Sequence, residues 1–293
     1  MFKNIQTFRI NPSWTSDLSS AETALGTARF LECGPSQEQS IGWTEPRGES
    51  NGLLIESIGG HWIAKIKFQS KILPGSVVKA AVEKKSEEIE LATGRKPGKK
   101  EKKEIGDEVR HSLLASAFTK ETAAFVWLDI ENMLLVIEAG TAKKADSIVT
   151  ELVKLIDGFA LSPIKTKSSS TACMSMWLDS QELPAGFTAD RDCVLKAGDE
   201  SKATVRYTKH ALDIDEIRGH IKNGKIPTQL ALTWESRVSF VLTDSGAIKK
   251  IEMLEASTKD KSEGGFDANV AITTGELTKM IPAVIAALGG EVI

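Results

Sequence analysis

The sequence is poor in the residue types on which several chemistries depend. Three cysteines, Cys33, Cys173 and Cys193, stand far apart in 293 residues. They are too few for a disulfide framework and too scattered for a C-x-x-C metal knuckle, so reduced, buried thiols are expected. The four histidines, His61, His111, His210 and His220, have no H-E-x-x-H or cysteine partner, and neither a metal nor any other cofactor is expected. No run approaches the eighteen or more apolar residues of a membrane span. The first ten residues lack a basic start followed by an apolar stretch. A cytoplasmic chain with no membrane partner is the expectation.

What is present is the balance of a folded protein, 41% hydrophobic and 26% charged residues, well clear of the disorder regime. The length suits two compact units or one elongated mixed architecture. Net charge is only −3, yet the charges are sorted. Between Lys71 and Arg110 eleven Lys and Arg face eight Asp and Glu, so this window is +3 and the rest of the chain −6. A charge-sorted surface binds polyanions while the whole stays acidic.

Periodicity predicts strands at 4–10, 53–57 and 61–69, with a loop over 36–52, and a helix opened by a Ser19/Glu22 capping box. Pro74 opens a helix to about residue 92, Gly94, Pro97 and Gly98 break it, and a second helix spans 99–117. A hairpin of strands, 123–129 and 134–139, precedes a helix over 141–156. Pro163–Thr171 reads as a linker. Beyond it come strands near 172–178, 193–196, 203–207, 229–233, 238–242, 248–253 and 269–273. Helices follow at 215–222 and, behind a Thr273/Glu276 capping box, at the end of the chain. The triplet Trp-Leu-Asp at Trp127 and Trp177 reads as chance, because its two copies occupy different places in the halves. The predicted fold is α+β (mixed), two α/β halves with antiparallel sheets and a projecting helical hairpin. The expected domains are 1–70 plus 118–162, a helical tip at 71–117 inserted in it, and 163–293.

Motifs of enzyme chemistry lack their context. Gly48-Glu49-Ser50-Asn51-Gly52 matches G-x-S-x-G, but the elbow needs a strand entering and a helix leaving. Gly94 to Lys99 has one residue too few for a phosphate loop and no Ser or Thr after the lysine. The carboxylate pairs Glu87-Glu88 and Asp107-Glu108 lie beside lysines on charged helix faces. No catalytic constellation emerges, and a non-enzymatic protein is expected.

The strongest local signal is Arg95 to Lys103, where Arg95, Lys96, Lys99, Lys100, Lys102 and Lys103 are basic and only Glu101 is acidic. The flanking helices add Lys84, Lys85 and Arg110. Clustered cations gain from counterion release on DNA with no base contact. A merely solvated lysine-rich helix is the competing reading.

The ordered motifs Ile72-Leu73-Pro74, Asp107-Glu108-Val109, His111-Ser112-Leu113-Leu114, Ala117-Phe118 and Ala142-Lys143-Lys144-Ala145 resemble the bacterial recombination-associated protein RdgC family. The resemblance extends to Phe2-Lys3-Asn4, Gly42-Trp43, Leu230-Ala231-Leu232 with Trp234, Thr274-Gly275-Glu276-Leu277 and Leu288-Gly289-Gly290-Glu291. It implies a homodimer that forms a ring around double-stranded DNA, with single strands an open alternative. It also implies binding without sequence preference, nucleoid association and restraint of RecA by competition for DNA. A module that contacts the recombinase directly is the alternative. By the same resemblance Arg95 matches a basic residue of the helical tip, Lys209 a lumen-facing lysine and Phe118 an aromatic finger at the dimer contact. Without it, ordinary core packing at a helix end is the competing reading of Phe118. Lys120, Lys143 and Lys144 complete the expected DNA-binding set. Ser116 stands where family members tend to carry arginine, with Lys120 or Arg110 to replace it, and His210 replaces a glutamine.

Overall fold

The computed structural model describes residues 1–15, 17–212, 215–254 and 265–292. Among these the chain forms a large antiparallel sheet and seven helices, the mixed class that the sequence predicts. It divides into two compact units, one of residues 1–25, 45–64 and 125–293, the other of residues 26–44 and 65–124.

The larger unit is built on strands that neighbour one another in the order β6 (Leu134–Glu138), β1 (Ile5–Ile10), β12 (Ile248–Met253), β11 (Val238–Thr243), β10 (Lys225–Trp234), β8 (Phe187–Ala197) and β9 (Thr204–Tyr207). A short β7 (Leu161–Pro163) also pairs with β1. One sheet face buries Cys193, Leu195, Leu230, Leu232, Phe240, Leu242, Ile248 and Ile251. Against that core pack residues of α5 (Ser170–Ser180), α6 (Asp215–Lys222) and α7 (Phe266–Ala287). Phe2 and Trp127, both fully buried, lie 5.9 Å apart between ring centroids in the same core.

Three sequence expectations fail here. Residues 172–178 form part of α5, because Ser169 caps the helix by accepting from the Ala172 amide. Cys173, Met174, Trp177 and Leu178 are then buried with the three- and four-residue spacing of a helix face. Residues 269–273 likewise belong to α7. Their β-branched run favours a strand locally, but Val270, Thr274, Leu277 and Ile281 recur at helical spacing and are buried. The proposed Thr273/Glu276 capping box therefore lies inside the helix, where Thr274 donates to the Val270 carbonyl and Glu276 pairs with Arg237.

The Pro163–Thr171 segment is not a free linker. Lys167 and Ser168 donate backbone bonds to Gly290 and Leu288, and Val292 donates to Lys165. At the other end, α1 (Leu18–Gly26) is capped by Asp17, which accepts from the Ser20 amide at 2.8 Å, in place of Ser19. Glu22 instead accepts from the amides of Leu54 and Ile55, ordering the approach to β3 (Ile55–Ile58). Trp127 sits on a strand and Trp177 on a helix, so their shared triplet reflects no repeated element.

The smaller unit contains β2 (Gln39–Thr44), inside the 36–52 segment expected to be a loop. It pairs with β4 (His61–Lys71) from Gln39↔Ser70 to Thr44↔Lys65, and β5 (Thr119–Asp129) is the next neighbour. Gly42 explains why this strand is hard to see. A Cβ there would stand 2.4 Å from the Phe30 Cα, so only glycine lets residues 28–30 lie against β2. Phe30 then donates to the Trp43 carbonyl, and Trp43 to that of Ala28.

Candidate nucleic-acid interface

The predicted helical hairpin forms within the smaller unit as α2 (Gly75–Thr93) and α3 (Lys99–Ser116). Gly94 ends α2 in the left-handed region at φ 72°, its amide bonded to the Glu90 carbonyl, which is the geometry glycine makes cheap. Its core is thin. Ser86 is the one buried residue of α2, and Ile105, Val109 and Leu114 are those of α3. Leu113, four residues beyond Val109, is only partly buried, and Leu114 turns inward.

The basic residues chosen from sequence divide into two groups. Lys85 pairs with Glu108 at 2.6 Å, Arg95 with Glu101 at 2.9 Å, Lys96 with Glu90 at 3.8 Å and Arg110 with Glu38 at 3.1 Å. The hydrogen bonds from Arg95 and the Gly98 amide hold the Glu101 carboxyl below its ordinary range. Lys84, Lys99, Lys100, Lys102 and Lys103 are all exposed, and among the described residues none has an acidic partner. Four of these five lie in the opening turns of α3, where Glu101 is the only acid in the first turn. The unsatisfied amides at that end carry partial positive charge, so lysines there are electrostatically unfavourable in the free protein and an anion relieves the conflict.

At the foot of the hairpin Phe118 is 85% exposed. Its carbonyl accepts from the Ile72 amide at 2.7 Å, so the backbone is pinned while the ring stays in solvent. Ser116 turns its hydroxyl back to the Leu113 carbonyl. Lys120 is exposed on β5.

In the larger unit Lys143 and Lys144 open α4 (Ala142–Leu155), which Thr141 caps. Burial pushes the Lys144 ammonium below its ordinary value, against the pull of Glu138. Lys209 lies on the turn after β9 in a left-handed conformation, φ 54°, and donates its amide to Asp192 at 2.7 Å. His210 is exposed, its ring nitrogen facing the Ala211 carbonyl.

The same unit carries two cations outside the expected set. In β12 the core residues Ile248 and Ile251 are three apart, with Lys249 and Lys250 between them. Strand alternation would send one of those lysines inward. A register irregularity against β11 and a left-handed Lys250, φ 51°, admit the extra residue and turn both away from the core. The doublet Lys-Lys inside an alternating strand was the signal available in the sequence.

The Ser50 loop runs between β2 and β3, with no strand entering it directly and no helix leaving, and Ser50 is exposed. Burial raises the Cys193 thiol to about 12, which keeps it unreactive. Among the described residues no group of three or more His, Cys, Asp or Glu is placed to hold a metal ion. One helix, Phe266–Ala287, is long and apolar enough by composition to cross a membrane, and its Val270, Leu277, Met280 and Ile281 lie in the core.

Residues 1–291 match the family described as "Putative exonuclease, RdgC". The chain is 38% identical to the recombination-associated protein RdgC of Dechloromonas aromatica (strain RCB), over 100% of this chain and 98% of that protein. The proteins of that name from Janthinobacterium sp. (strain Marseille) and Bordetella pertussis (strain Tohama I) are each 38% identical over 99% of this chain and 98% of theirs. With a match of this extent, and with the residues that carried the resemblance distributed through both units, the chain belongs to the RdgC family.

Proposed function

We propose that this protein is a non-enzymatic, sequence-independent DNA-binding factor of homologous recombination. It encloses duplex DNA as a homodimer at the nucleoid and limits RecA by occupying its substrate. The observation that carries the reading is the row Lys99, Lys100, Lys102 and Lys103, exposed and, among the described residues, without acidic partners at the amide-rich end of α3. A surface of this kind suits phosphates and carries no means of reading bases. The names of its relatives connect the same chain to recombination.

Charge arrangement distinguishes this reading from a solvated helix. A helix built for stability places acids, not lysines, in its first turn. Here the paired cations Lys85, Arg95, Lys96 and Arg110 brace the hairpin, and the unpaired ones remain for an external polyanion. Phe118 supplies the dimer contact in this scheme, since an exposed aromatic seated in a partner's pocket is a frequent interface anchor.

The test replaces Lys99, Lys100, Lys102 and Lys103 together by alanine and measures duplex binding against salt. Binding to every sequence weakens alike, and the slope of log affinity on log salt becomes shallower by roughly 3–4. An unchanged slope removes the hairpin from the interface. Nuclease assays with Mg²⁺ or Mn²⁺ on linear DNA decide the enzymatic question, and strand degradation overturns the non-enzymatic reading. Phe118→Ala lowers the dimer mass seen in sedimentation while the circular dichroism of the fold persists. An unchanged mass assigns the dimer contact elsewhere.

A further inference from the structure

We infer that a small pocket on the open face of the larger unit's sheet is a receptor for one phosphate group, distinct from the lysine row of the hairpin. The pocket has a volume of about 160 Å³ and is lined by residues of β8 to β12 that include Arg206, Gln229 and Lys250, with Val194 and Val241 beneath. Register brings them together across five strands. Arg206 opposes Val194, Val194 opposes Gln229, and Val241 opposes Lys249, the neighbour of Lys250.

Three features make this concavity a phosphate site. Its donors are unspent: among the described residues the side chains of Arg206, Gln229, Lys250 and Thr208 have no partner, so a guanidinium, an ammonium, an amide and a hydroxyl line one space. Its one acid, Asp192, already accepts from the Lys209 amide. Its shape is maintained by backbone that lysine adopts reluctantly, since Lys250 within a strand and Lys209 on the adjoining turn both have positive φ. Glycine would hold the β12 irregularity without strain, so a lysine there is retained for its ammonium. Size limits the ligand: pockets for whole drug-sized molecules measure roughly 300–1,000 Å³, and this one holds a phosphate with part of its sugar. A DNA backbone phosphate and free inorganic phosphate share this chemistry. The backbone is the source assigned here, and that assignment rests on the DNA-binding reading.

Lys250→Gly and Arg206→Gln test the site separately and together. The glycine variant also removes strain, so its melting temperature stays level or rises, and a loss of binding cannot be laid to unfolding. Inorganic phosphate titrated into the wild-type protein moves the side-chain amide signals of Gln229, and the double variant shows no such movement. For duplex DNA each single variant lowers the salt slope by about 1, uniformly over sequence. A Gln229 response to phosphate with unaltered DNA affinity confirms the pocket's chemistry and overturns the backbone as its source. No response to phosphate, together with full DNA affinity in the double variant, overturns the site. Should the wild-type protein fail to bind DNA, the functional reading falls while the phosphate titration still decides the pocket.

Discussion

The two units differ in what their residues are used for. The smaller carries 15 Lys and Arg against 11 Asp and Glu, a net +4, and the larger carries 22 against 29, a net −7. The larger buries a continuous core that includes Phe2, Trp127, Trp177, Phe240 and the inner face of α7. Exposed apolar side chains occur in both, among them Leu91 and Phe118 in the smaller and Leu53 and Met176 in the larger. The buried core cluster is thus concentrated in the larger unit and the basic excess in the smaller.

The largest expected effect falls on the core of the larger unit. Trp127→Ala removes a fully buried ring packed against Phe2 and His61 and lowers stability by about 3–5 kcal/mol. Urea unfolding measures this, and a loss below about 1 kcal/mol would mean that the site repacks freely. Next, Gly42→Ala drives a methyl into the Phe30 backbone and costs about 1–3 kcal/mol in the smaller unit. Hydrogen exchange locates the damage: protection falls at Trp43 and Phe30 and holds at Leu230 and Leu242. Equal loss in both would erase the distinction between the units.

The smallest effect is electrostatic. Arg237 holds the Glu276 carboxyl below its ordinary value of 4.5. A depressed carboxylate contributes stability above its unfolded value, and that contribution disappears as pH falls through the lower folded value. Glu276→Gln therefore lowers the melting temperature at pH 7 and flattens its decline below about pH 4.5. The same decline in wild type and variant would place the acid sensitivity elsewhere.

Local chemistry made the hairpin visible in the sequence. Pro74, the Gly94-to-Gly98 break and the stripe through Ile105 and Val109 are all short-range signals, and both helices lie within a residue or two of the predicted limits. The helix at 215–222 and the strand at 248–253 also agree with their observed limits. What stayed hidden depended on distant partners. The 269–273 run is strand-like alone and helical because Val270 and Leu277 share one buried face. Residues 172–178 are helical because Cys173, Met174, Trp177 and Leu178 share one face buried in the core, behind a Ser169 cap that is itself a local signal. The charge run was plain, but its division into paired and unpaired lysines was not, since Glu38 reaches Arg110 from 72 residues away. The Arg206–Gln229–Lys250 pocket needs strand register and one extra residue in β12, neither of which a linear charge count records.

The placement of β1 has a consequence for how the protein is made. One edge of this strand pairs with β6 from Ile5↔Glu138 to Arg9↔Leu134, and at the other Ile5 opposes Ile248 of β12. A ribosome moving at ordinary rates needs roughly 6–23 s to advance from the first partner to the second. Once β7 has paired with Phe8 to Ile10, the Ile5 end of β1 is the part of that edge still unpaired, and it stays open to neighbouring nascent chains for the rest of the interval. Chaperone occupancy during synthesis should therefore persist until residue 253 has cleared the exit tunnel.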